Sequence, residues 1–139
     1  MRVATLLALD KQVVRGSWDH RTLSVPGAVL GMAIPGTIGI GVFVEVEVQP
    51  EDYSPQQLDV WIYVRGVDET LGVVDELIEL LHVIDGVVAP VGEISEPVIQ
   101  RFDIWIPSYP VDTPRQLWFE ARLENVTQAE RAVSLVSEI

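Results

Sequence analysis

The run Val42-Phe43-Val44-Glu45-Val46-Glu47-Val48 alternates with a period of two. Successive side chains of a strand point to opposite faces, so this run can be a half-buried strand and cannot be an amphipathic helix. The same period recurs near 57–65, 97–106 and 116–124. It predicts four apolar faces: Val42, Val44, Val46, Val48; Leu58, Val60, Ile62, Val64; Val98, Phe102, Ile104, Ile106; and Leu117, Phe119, Ala121, Leu123. Further strands are expected near 3–9, 20–25 and 131–138, separated by turn signals at Arg15-Gly16-Ser17, Gln49 to Pro55, Arg65 to Asp68, Ile106 to Pro110 and Asp112-Thr113-Pro114. Proline at 107 is expected to stop its strand, because it cannot donate to a ladder. Regular strands between turns make a sandwich or a barrel, here a single antiparallel β-sandwich of seven to eight strands over residues 1–139.

Residues 25–44 hold no charge, and their length suits a membrane span. Five glycines and two prolines within them would break a lone helix repeatedly, so we read a glycine-rich turn region feeding a strand, with no membrane span. VATLLAL at 3–9 is too short for a secretory signal, and a cytoplasmic protein, or part of a virion assembled in the cytoplasm, is the expectation. The chain has no cysteine, which removes disulfides, thiolate metal sites and cysteine nucleophiles. Its net charge of −12 disfavours nucleic acid as a partner, since phosphate neutralisation needs clustered Lys and Arg. One lysine and one asparagine among many Val, Ala, Gly, Arg and Asp suggest a high-GC coding sequence, as in actinobacteria or their phages.

Leu71 to Ile84 is ambiguous. A helix would gather Val73, Val74, Leu77, Ile78, Leu80, Leu81 and Ile84 on one face, with Gly86 at its C-terminal stop. Periodicity thus favours one short helix near 71–84, whereas β-branched content and the all-β surroundings favour a strand.

Alternation sends Asp59, Trp61, Tyr63 and Arg65 outward, as it does Arg101, Asp103 and Trp105, and Trp118, Glu120, Arg122 and Glu124. Three of four tryptophans therefore lie on nominally polar faces. Two explanations are open. Segment 71–84, or the N-terminal part of the chain, lies across the rings; or Trp61, Tyr63, Trp105 and Trp118 form a platform for a protein or a sugar, with Arg65, Arg101 and Arg122 around it.

No catalytic constellation stands out. His20 follows Asp19 directly, so on a strand the two diverge, and His82 is expected to be solvated. Two histidines without cysteine predict no metal site, although carboxylates could help. Asp85-Gly86 reads as a turn, and Glu51-Asp52 and Asp75-Glu76 as solvated pairs. Glycines at 36, 39 and 41 open onto a strand and not a helix, so they do not make a phosphate loop. Asn125-Val126-Thr127 is formally a glycosylation sequon at a hairpin turn.

The segments VATLLALDKQVVRGSW, LSVPG and AIPGTIGIGVFVEVEVQPEDYSPQQLDVWIYVRGVDE resemble a family of small uncharacterised actinobacterial proteins known only as a domain of unknown function. Ala4 to Leu7, Asp10, Gly27, Pro35 and the strand pair 41–65 carry the resemblance, which covers the first half of the chain. It implies an immunoglobulin-like sandwich and brings no catalytic residues or cofactor. Together these readings predict a non-catalytic structural or interaction subunit that self-associates or docks into a larger complex, an accessory protein of a phage particle among them. The alternatives are a carbohydrate-binding module and an acidic hydrolase with an Asp/Glu pair.

Overall fold

A computed structural model describes residues 1–9, 28–68, 74–93 and 95–138. Among these residues eight strands form two sheets: β1 (Arg2–Leu9), β2 (Ala28–Met32), β3 (Gly36–Val48), β4 (Gln56–Val67), β5 (Val74–Val88), β6 (Val98–Val111), β7 (Arg115–Leu123) and β8 (Val126–Ser137). The smaller sheet runs β1-β3-β6 and the larger β2-β8-β7-β4-β5. All pairings are antiparallel except the parallel β2–β8 pair. The expected strand near 20–25 and the Asp19–His20 pair lie outside the described residues.

The core is the inner face that alternation predicts. Val42, Val44, Val46 and Val48 of β3 and Leu58, Val60, Ile62 and Val64 of β4 are fully buried. They pack with Leu6, Phe119, Leu117, Leu123, Val133 and Leu135 in one cluster between the sheets. Phe102, Ile104 and Ile106 face the same cluster but are only half-buried, because β6 is an edge strand.

Three local readings change. No helix occurs among the described residues, and most of segment 71–84 is β5, paired with β4 from Gln56↔Val88 to Val67↔Val74. Register shifts at Val60/Trp61, Val64/Arg65 and Arg65/Val67 each skip a residue of β5, which is how a strand accommodates a sequence whose apolar residues fall out of a strict period of two. Asp85-Gly86 is accordingly mid-strand, and Gly86 makes room for Phe102 of the facing sheet, which would lie 3.3 Å from a Cβ placed there. Pro107 does not end its strand: β6 runs on to Val111 through a register shift between Ile106 and Tyr109, with its other edge unpaired among the described residues. Within the glycine-rich stretch lie β2 and the start of β3, joined across a cis Ile34–Pro35 bond.

The β7–β8 hairpin turns on Glu124 and Asn125, with φ of 48° and 64°, the pair of left-handed residues a two-residue hairpin needs. The Gln57 amide donates to the Glu124 carboxylate at 3.0 Å, and the Glu124 amide returns a bond to the Gln57 carbonyl at 2.9 Å. In the β3–β4 loop, Asp52 accepts the Gln49 amide at 2.7 Å, so it is structurally engaged and not merely solvated.

Phe119 is 1% exposed at the centre of the larger sheet. Phe119→Ala is expected to lower stability by about 3–5 kcal/mol, read as a fall in urea midpoint.

Candidate functional site: the outer face of the larger sheet

The side of β4 that faces away from the core carries Asp59, Trp61, Tyr63 and Arg65. Register sets Asp59 opposite Arg122 and Asp85, Trp61 opposite Glu120 and His82, and Tyr63 opposite Trp118 and Leu80. Five predicted surface residues, Trp61, Tyr63, Arg65, Trp118 and Arg122, thus share one face. Arg101 and Trp105 do not join them: both are on β6, on the outer side of the other sheet. There the Trp105 ring lies across Gly39, where any Cβ would collide with it. Arg101 sits over the Phe43 ring at 4.7 Å and pairs with Glu45 at 3.3 Å. The expected single platform is therefore two separate surfaces.

Of the segments expected to lie across the rings of the larger sheet, 71–84 does not, and residues 10–27 of the N-terminal part lie outside the described residues. Segment 74–88 extends the sheet as β5 instead of crossing its face. The rings are half-buried by polar neighbours on the same face. Trp61 stacks on His82 with centroids 4.0 Å apart and planes 9° from parallel. The Arg65 guanidinium lies 5.9 Å from both the Tyr63 and the Trp118 ring centres. Planar cations and imidazole cover aromatic faces well because they shed water at little cost and meet the ring quadrupole.

Beneath this layer Glu120 is 8% exposed and collects three donors: the Arg122 Nε at 2.6 Å, the Tyr63 hydroxyl at 3.0 Å and the Thr127 hydroxyl at 3.0 Å. A second Arg122 nitrogen donates to the Tyr63 oxygen at 2.9 Å. Burial pushes the Glu120 carboxyl up, but the bonds from Thr127, Tyr63 and Arg122 outweigh it and hold the group below its ordinary value of 4.5. Burial, then the bond to Glu120, raises the Tyr63 hydroxyl, and the same carboxylate raises Arg122. The arrangement keeps a buried charge fully partnered.

His82 is not simply solvated, since its Nε2 lies 2.8 Å from Asp59 Oδ1. Gln57 Nε2 bridges Asp59 and Asp85 at 3.3 and 2.5 Å. Alternation had placed Asp59, Glu120 and Arg122 outward, but only the strand register brings His82, Asp85 and Thr127 to them. At the far end of β5, Glu79 turns inward and accepts the Tyr109 hydroxyl of β6 at 2.8 Å. Burial, then that bond, pushes Tyr109 up to about 12.

No family model and no curated protein matches the chain. Among solved structures it is similar to the alkylpurine DNA glycosylase AlkC of Pseudomonas fluorescens bound to DNA containing an abasic-site analogue, at 12% identity and a TM-score of 0.50. The match covers 98% of this chain and 30% of the glycosylase, so the chain spans less than a third of that protein's length. At this identity the likeness concerns the fold. What the fold and site define is a class: an all-β sandwich that presents an aromatic, hydrogen-bonded face beside an edge strand.

The unfolded chain binds the Glu120 proton more tightly than the folded one, so this network stabilises fully above pH 4.5 and loses its effect as pH falls below that through the folded value. Glu120→Gln is expected to cost about 1–3 kcal/mol at neutral pH. Urea midpoints measured against pH should show that cost constant at and above neutrality and shrinking as the solution is acidified below 4.5.

Proposed function

We propose that this protein is a non-catalytic interaction subunit that docks into a larger assembly through the free edge of β5 and the outer face beside it. The observation that carries the reading is β5 itself. It is 15 residues long, and no strand pairs with its second edge among the described residues. It also leaves Leu77, Ile78, Leu80 and Val87 45–58% exposed. Free edges template the addition of another strand, and proteins ordinarily shorten, cover or interrupt them. Here Leu77 and Leu80 continue the aromatic face of Tyr63 and Trp118, and an open groove lined by Gly66, Glu76, Leu77, Ile78 and Thr113 adjoins the strand.

Charge selects the partner. A net charge of −12, with Glu76 and Asp85 on β5, opposes pairing of two copies at low salt and favours an extended segment bearing Lys or Arg. The same charge speaks against DNA, which the glycosylase of similar fold binds. That this fold corresponds to 30% of a longer protein fits the use of such a sandwich as a module. A sugar platform receives less support, because His82 covers one face of Trp61 and Arg65 lies over Tyr63 and Trp118. A carboxylate holding three donors, as Glu120 does, is poorly placed to shuttle a proton.

A synthetic peptide alternating Val and Lys tests the reading, with a Val/Glu peptide as control. The basic peptide is expected to shift the backbone amide resonances of residues 76–85, and Leu80→Lys to weaken that binding about tenfold, or 1.4 kcal/mol. Unchanged amides with both peptides would overturn the proposal.

A further inference from the structure

We infer that Asp59, His82 and Asp85 form a binding site for one divalent transition-metal ion of the zinc type, on the outer face of β4 and β5. One ligand atom from each of the three lies within 4.8 Å of the others. Tetrahedral zinc, with bonds of about 2.0–2.1 Å, sets neighbouring ligands about 3.4 Å apart. Asp85 is exposed, so rotation of its side chain can close that difference.

Four further observations point to a cation. Asp59 and Asp85 are directly opposed in the β4–β5 register, an arrangement of like charges that costs a sheet stability unless something of opposite sign lies between them. Among the described residues, the group bridging the two carboxylates is the Gln57 carboxamide, a neutral donor whose oxygen can turn toward an ion as a fourth ligand. The imidazole is already oriented: Trp61 stacks flat on it, and its Nε2 faces Asp59. Arg122, opposite Asp59 on β7, spends its hydrogen bonds on Glu120 and Tyr63 and acts on Asp59 through charge alone. Two carboxylates and a neutral imidazole balance a dipositive ion, and the nitrogen ligand favours zinc over magnesium or calcium.

Calorimetric titration of the full chain with zinc chloride tests this, with magnesium chloride as control. We expect one zinc ion per chain, a rise in melting temperature with added zinc and no magnesium binding. His82→Ala and Asp85→Asn should each weaken zinc binding at least about tenfold, by analogy with the sensitivity of metal sites to their ligand environment. His20→Ala, which removes the other histidine, should leave it unchanged. Asp85 is exposed, so Asp85→Asn keeps the test decisive if His82→Ala fails to fold. Absence of zinc binding, or equal binding by wild type and Asp85→Asn, would overturn the inference, the latter marking an adventitious ion only.

Discussion

The register of β4 between β5 and β7 is the constraint on which the rest depends. Leu58, Val60, Ile62 and Val64 on one side are fully buried, and a slip of one residue would turn them into solvent. Because side chains alternate, fixing that inner row also fixes Asp59, Trp61, Tyr63 and Arg65 on the outside, and fixes what they meet on each neighbour. The hydrophobic effect that closes the core therefore aligns the polar face as well. The Glu120 network and the Asp59–His82 pair inherit their geometry from packing on the other side of the sheet.

A consequence is that the outer face is ordered without being apolar. Trp61 and Tyr63 would be costly in water as bare rings, yet each is covered by a planar polar group of the same sheet, His82 in one case and Arg65 in the other. The face keeps its shape through stacking and charge-assisted hydrogen bonds, which are strong where Glu120 is withdrawn from water. Such a surface is rigid and chemically varied. Beside it, β5 has no strand on its second edge among the described residues and keeps its leucines exposed, so order and accessible apolar surface meet along one strand.

The two sheets differ in how they treat aromatic residues on their outer sides. On the larger sheet the rings take polar partners. On the smaller one Trp105 lies on the backbone at Gly39, and Phe43 is roofed by Arg101, itself held by Glu45. Gly39, which in sequence belongs to a suggestive G-x-x-G-x-G pattern, is needed because no side chain fits under the indole. The edge strand β6 likewise absorbs Pro107 in a register shift, where proline in a central strand would leave a ladder bond unmade.

By itself the sequence determined the all-β class, the inner faces of β3, β4 and β7, the β7–β8 hairpin and the outward placement of Trp61, Tyr63, Trp118 and Arg122. A period of two is local, and burial of one face follows from it directly. It did not determine the fate of residues 74–84, because three register shifts let a helix-like pattern pair as a strand, and pairing with β4 outweighs local period. Nor could it join Asp59 to His82 and Asp85, or part Trp105 from Trp61. Those relations depend on which strands become neighbours and in what register, and that is settled only when the two sheets close on a common core.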